Sequence, residues 1–377
     1  MDKKIIYNRK LNKTTELFFL IGFGTYLFYR LYQYSDLIEI TKSLKTTLKL
    51  VSLVFMLPKI LINKYNSREK LVSFALTIVT ILFIVLGGDK GLILIPIILI
   101  GIKDINIKKI IKLIFAMTAF CVLIHCTYFV IEYTTMNKNF ITMFHISDYP
   151  ITNKIKFKDY NMFAFRYTCL IMQYVYLTNR DRNRIIKSII LFLLSTIVLF
   201  ISQSRASFVI CLIIVLYLLF EKNIYVNRIF NVTKYIAIGG SIILSALAMI
   251  IPYDSNSIML YANIKLNGRI QIFNNAYKYI GINILPSIEK FNGISKAFGS
   301  YMMPDNSYIS LLLKWGLLLF VILFIITIII IAKNNDNLID FYICLLAIWF
   351  LTEYISMEFV IYFVPLLVVD NFFNDYK

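Results

Sequence analysis

Charge is scarce in this chain: 16% of its 377 residues are Asp, Glu, Lys or Arg, while 59% are hydrophobic. A water-soluble domain of this length needs far more charge to cover its surface, which excludes a soluble enzyme or carrier. Histidine is scarcer, at two residues. With so few, and with no Glu-x-x-His or Cys-x-x-Cys spacing, no metal site is expected. The five cysteines, Cys121, Cys126, Cys169, Cys211 and Cys344, all fall inside apolar blocks and are expected as packing residues, neither bridged nor ligating. There is no Walker A or dinucleotide fingerprint, and no cytosolic stretch could fold into a nucleotide-binding domain. No cofactor is therefore expected, and energy has to arrive with the substrate or from an ion gradient. Internal repeats and Gly/Ser-rich linkers are also missing, so residues 1–377 read as a single transmembrane domain. No pair of broken helices of the transporter type is evident.

What the chain has is long apolar blocks, such as 71–87 (LVSFALTIVTILFIVLG) and 317–332 (LLLFVILFIITIIIIA), with a mean hydropathy of +0.74. In hydrocarbon each backbone N–H and C=O has to bond within its own segment, so such blocks imply spanning helices of roughly 20 residues. The short alternating segments of a β-barrel are not seen. The fold class expected is all-α: a polytopic integral membrane protein of about 12 transmembrane helices. These lie at 15–32, 46–62, 71–87, 92–102, 110–131, 161–177, 185–202, 206–220, 235–251, 307–332, 341–354 and 359–369. The basic stretch 1–13 precedes a block that reads as the first span and not as a cleaved signal.

The net charge of +18 is dispersed among short loops, where it sets topology; no basic domain for nucleic acid exists. Lys3, Lys4, Arg9, Lys10 and Lys13 place the N-terminus in the cytoplasm. Alternation then puts the basic loops 63–70, 103–109, 179–184 (NRDRNR), 221–234 and 333–340 inside, together with the C-terminus. Lys42 and Lys45 are exceptions on the outer side. Two long segments are left outside, 132–160 and 252–306, the second between helices nine and ten. Within it, 258–280 mixes apolar and polar residues at helical spacing, as a segment lying along the membrane surface does.

Ionisable residues near a bilayer are informative because each costs about 2.5–3.5 kcal/mol at mid-depth. Arg166 lies about one and a half turns into its span, Arg205 in the turn Ser202-Gln203-Ser204-Arg205, and Arg269 in the long outer segment beside Gly268. Asp305 and Asn306 stand where that segment enters the next span. By topology, three guanidinium groups and a carboxylate approach one face. Arginine's planar fork bonds phosphate oxygens bidentately and stays charged, which suits a lipid-linked diphosphate. The plainer alternative is that each arginine snorkels to headgroups or pairs with a nearby carboxylate. Glu353 and Glu358 line a cavity or are solvated at the last outer turn. His125 reads as a hydrogen-bonded core residue, and His145 as an alternative base in an outer loop.

Three stretches carry a family likeness: 157–165 (FKDYNMFAF), 201–206 (ISQSRA) and 304–316 (PDNSYISLLLKWG), the last following Gly268-Arg269. In order, spacing and sidedness they resemble the Wzy-type polysaccharide (O-antigen or capsular) repeat-unit polymerases of bacteria, within the O-antigen ligase/polymerase superfamily. The resemblance implies glycosyl transfer on the outer face of the bacterial plasma (inner) membrane. The growing glycan on undecaprenyl diphosphate is the donor, the terminal sugar of a newly flipped lipid-linked repeat the acceptor. Partners implied are the undecaprenyl-diphosphate-linked glycans, the bilayer, a chain-length regulator and a repeat-unit flippase. Asp305, Arg269 and Arg205 are the expected catalytic residues, with Asp305 as base and the arginines on the diphosphate. Arg166, Asn161, Asn306 and Tyr308 are expected on substrate, with Asn161 and Asn306 bonding sugar hydroxyls or fixing the loop, and Tyr308 and Tyr301 stacking on sugar or anchoring a helix end. Asp305 stands where ligases typically have histidine, which favours polymerase over ligase. A flippase would need cations at mid-membrane and on both faces, and an assembly subunit would need no convergent arginines.

Overall fold

The computed structural model describes residues 3–33, 35, 37–85, 90–135, 160–178, 183–202, 204–298, 303–332, 334, 336–353 and 358–374. The expectations placed on 136–159, on His145, on Gln203 and on Tyr301 lie outside them. Every regular element among the described residues is helical. Among the described residues, three helices are long and apolar enough to cross a membrane, Ile107–Tyr128, Arg228–Ile250 and Ser307–Ile329. Shorter apolar helices span Arg205–Phe220, Asn337–Trp349 and Val364–Phe373. The protein is thus a helical membrane protein.

The chain divides into two compact units, each assembled from separated stretches. The first comprises Met1–Ser67, Leu94–Asn223 and Glu358–Lys377. Its helices are α1 (Lys3–Tyr32), α2 (Lys42–Ile62), α4 (Leu94–Gly101), α5 (Ile107–Thr135), α6 (Tyr160–Leu177), α7 (Arg184–Ser202), α8 (Arg205–Phe220), α15 (Phe359–Tyr362) and α16 (Val364–Asn374). Here α1 packs along α2 and α5, α6 packs against α5, α7 and α8, and the short α15 lies against α1, α5 and α6. The block expected as one span at 359–369 is broken at Phe363, whose φ of 50° ends α15 before α16 begins. His125 is a core histidine: one ring nitrogen lies 2.7 Å from the Cys121 carbonyl and the other 2.9 Å from the Ser35 hydroxyl. All five cysteines are unbridged, and four are buried.

The second unit comprises Arg68–Ile93 and Ile224–Met357. It contains most of α3 (Ser67–Val85) together with α9 (Ile224–Ile250), α10 (Ser257–Lys265), α11 (Arg269–Ile280), α12 (Ile288–Phe298), α13 (Ser307–Ala332) and α14 (Asn337–Trp349). The pair α9 and α14 forms its spine. One end of this pair is fixed by a buried ion pair, Lys234 Nζ to Asp340 Oδ1 at 2.8 Å, with the Asn334 amide donating to the same oxygen at 2.7 Å. Segment 252–306, expected as a long outer loop with helical spacing over 258–280, contains α10, α11 and α12 among its described residues. α11 and α12 bury Phe273, Ala276, Ile280, Phe291 and Ile294 against Met249 of α9 and Ile309 and Leu313 of α13.

Helix α13 is broken at Gly316, where φ 80° and ψ 164° interrupt the spiral. The freed groups bond to the incoming chain: Leu317 N–H to Asn283 O at 2.8 Å, Leu318 N–H to Ile284 O at 3.2 Å, and Ser287 N–H to Lys314 O at 3.0 Å. Irregular backbone in a membrane helix persists only where it is satisfied in this way. A Cβ at this position would lie 2.7 Å from the backbone of Ile284 and Leu285, so only glycine admits the docked chain.

Candidate functional site

The site grows from the end of α14. A helix leaves its last carbonyls without partners, and those of α14 and its following turn are taken up by the 305–308 run and by Arg269. Tyr308 Oη donates to Ala347 O at 3.1 Å and Ser307 N–H to Phe350 O at 2.8 Å. The Asn306 amide donates to Leu351 O at 3.1 Å, Arg269 Nη1 to Thr352 O, and Ser307 Oγ to Glu353 O at 2.6 Å. Asn306 also caps α13, its Oδ1 accepting Ile309 N–H at 3.0 Å, and bonds Ser245 Oγ of α9 at 2.9 Å. Four helices are thereby tied to one short stretch of sequence.

Asp305 is the member of that run whose side chain turns to the surface. Its carboxylate is 51% exposed and lies 3.6 Å from Arg269 Nη2, on a guanidinium that is 26% exposed. Arg269 is delivered there by two local devices. Helix α10 ends with Asn267 in the left-handed region and Gly268 N–H bonded to Asn263 O, a Schellman closure that turns the chain into α11. Asn263 Oδ1 then accepts Gln271 N–H, capping α11 where Gly268 has no side chain to do so. Asn274 fastens α11 to α9, donating to Ala248, Met249 and Ile251 carbonyls and accepting Tyr253 N–H. Arg269 is thus a first-turn residue on a firmly held helix, with one nitrogen on a carbonyl and another towards a surface carboxylate.

The first unit holds a different arginine arrangement. Arg30 Nη2 lies 2.6 Å from Glu358 Oε1, and Gln33 Nε2 donates to the same oxygen at 3.3 Å. Arg166 is fully buried; its Nη1 donates to Met162 O in its own helix and its Nη2 to Arg30 O. Gln173, two turns further along α6, donates to Ile361 O at 2.8 Å. Arg205 is exposed at the first position of α8, flanked by Ser204 Oγ donating to Ser207 Oγ at 3.2 Å. Asn161 is half-buried in the first turn of α6.

Of the residues expected from sequence, the structure brings Arg269, Asp305, Asn306 and Tyr308 together in the second unit. Arg166, Arg205 and Asn161 belong to the first. Asn306 and Tyr308 are buried, with their polar atoms on backbone and side-chain partners. The ring of Tyr308 packs edge-on to Phe350 at 6.0 Å between centroids, so it supports the site from behind and does not offer a stacking face. Glu358 and Glu353 are buried, which removes the solvated alternative for these two carboxylates. Arg30 and Gln33 escape the sequence reading, Arg30 because it lies two residues from the end of its apolar block, where a snorkelling side chain is the default. Among the described residues, no group of three His, Cys, Asp or Glu side chains could hold a metal ion. No protein-family model, curated protein or solved structure matches the chain.

Proposed function

We propose that this chain is a membrane glycosyltransferase that polymerises lipid-linked oligosaccharide repeats, in the manner of the Wzy-type polymerases it resembles. The observation that carries the reading is the Arg269–Asp305 pair: a fixed guanidinium beside a half-exposed carboxylate. In the reading's topology the chain has twelve spans, both termini in the cytoplasm, and this pair on the outer face of a bacterial plasma membrane.

The chemistry follows from charge. An acceptor sugar hydroxyl attacks the anomeric carbon of the donor glycan, and the bond to undecaprenyl diphosphate breaks as the diphosphate takes the electron pair. Negative charge develops on the leaving group, so a guanidinium already held in place stabilises the transition state more than the ground state. Arg269 is suited to this because α11 and Thr352 O fix it before substrate arrives. Asp305 takes the proton of the attacking hydroxyl as general base. The resemblance implies Arg205 on diphosphate, Asn161 on sugar, and Arg166 assisting or binding sugar. Asn306 and Tyr308 are positioning residues, holding Asp305 at the junction of α13 and α14. No nucleotide sugar, ATP or cofactor enters. A chain-length regulator and a repeat-unit flippase are the partners this activity calls for.

The test is reconstitution of the purified chain with undecaprenyl-diphosphate-linked repeats in proteoliposomes. Wild type should form polymer with no added nucleotide, and Arg269→Ala should form none while inserting normally. Polymer formed at the wild-type rate by Arg269→Ala would overturn the assignment.

A further inference from the structure

Helix α10 is built inside out. Its only buried residue is the polar Asn263, at 6% exposure, whereas Ile258 is 77%, Tyr261 62% and Ile264 64% exposed. Leu260 and Leu266 are exposed as well. The neighbouring helices of the same segment have the opposite order. α11 buries Ile270, Phe273, Ala276 and Ile280, and α12 buries Phe291 and Ile294 while exposing Glu289, Lys290 and Lys296. Asn263 faces inward for a reason already given: it caps α11 and closes the turn before Arg269. The apolar residues of α10 have no such role within the unit.

We infer that α10 is embedded in the bilayer interface, with its apolar side chains among the acyl chains of the lipids. Three observations select lipid as the occupant. Helix α10 follows α9 after the short link 251–256, and α9 is one of the helices long and apolar enough to span. At that end of α9, Ile243, Leu244, Leu247 and Ile250 are exposed and apolar as well, and the short link joins them in sequence to the exposed apolar residues of α10. Finally, α10 carries no acidic residue and ends in Lys265, whose amine lies over the Tyr261 ring at 5.3 Å. A helix seated in an interface places its apolar side chains about 5–10 Å into the headgroup–acyl boundary. Because Arg269 follows the α10 closure directly, embedding α10 sets Arg269 at headgroup depth. Nothing in this burial pattern depends on which reaction the chain carries out.

The full-length protein with Tyr261→Trp, reconstituted into phosphatidylcholine vesicles with or without brominated acyl chains, tests this. Its emission is read after subtraction of the parent, whose Trp315 and Trp349 are both buried. The substitution exchanges one exposed aromatic for another, so folding is not at stake. Lys290→Trp on α12 is the control. Embedding requires the indole introduced on α10 to lose emission in brominated lipid and to ignore aqueous iodide, with the indole introduced on α12 doing the reverse. Quenching of the α10 indole by iodide alone would place that helix in water and overturn the inference. Quenching by neither agent would mean that protein covers α10, and would overturn it equally.

Discussion

Arg166 and Arg30 of the first unit and Arg269 of the second are held in opposite ways. In the first, Arg166 is fully buried on backbone carbonyls, and Arg30 meets a Glu358 carboxylate whose side chain is only 4% exposed. In the second, Arg269 is anchored by one nitrogen and turned towards a carboxylate that is half in solvent. A charge withdrawn from water is held by its partners, and removing one partner leaves a costly uncompensated group. A charge at a surface contributes little to stability and stays accessible to ligand. Burial therefore separates arginines that hold the fold from an arginine placed to act.

The sharpest break of this comparison is Glu358→Gln. It leaves Arg30 without its buried counter-charge and should cost about 3–5 kcal/mol, read as a large fall in the thermal midpoint in detergent. A midpoint equal to wild type would mean that Arg30 and Glu358 are in contact with water. Next is Gly316→Ala in the second unit. Its φ and ψ lie where only glycine is comfortable, and the added Cβ meets backbone at 2.7 Å, so a loss of about 3 kcal/mol is expected. Arg269→Ala removes one hydrogen bond and one exposed ion pair, and should lower stability by only about 1 kcal/mol while abolishing polymer. A loss as large as that of Glu358→Gln would erase the distinction between the two units. Asp305→Asn should change stability by about 0.5 kcal/mol or less, and slow transfer without weakening donor binding.

The sequence made helix placement legible because apolar blocks bounded by charge leave little choice in a bilayer. The boundaries of α2, α6, α7, α8 and α13 lie within a few residues of those expected. The break at Gly316 was not legible, since its cause is the chain at 283–287 docking into the helix, a contact between residues about 30 positions apart. Within segment 252–306, helical spacing is legible over 258–280, where α10 and α11 form, but the closure at Asn267 and Gly268 that divides them and the short α12 are not. For the site, Arg269 could be singled out beside Gly268 in the long outer segment and Asp305 where that segment enters the next span, and they do meet. Asn306 and Tyr308 could not be sorted from substrate-binding residues, because their role depends on which carbonyls α14 leaves open. Arg30 does not stand out because it lies near the end of a block, where a snorkelling side chain is the default.

The most direct test of the central claim is the surface glycan profile of a strain lacking this chain, complemented with wild type or with Arg269→Ala. The account predicts that the polymer ladder collapses to single lipid-linked repeats and returns only with wild type. A normal ladder with Arg269→Ala would contradict the role given to that arginine. Long polymer accumulating unattached would point to a ligase, and repeats held on the cytoplasmic leaflet to a flippase; either would contradict the polymerase account.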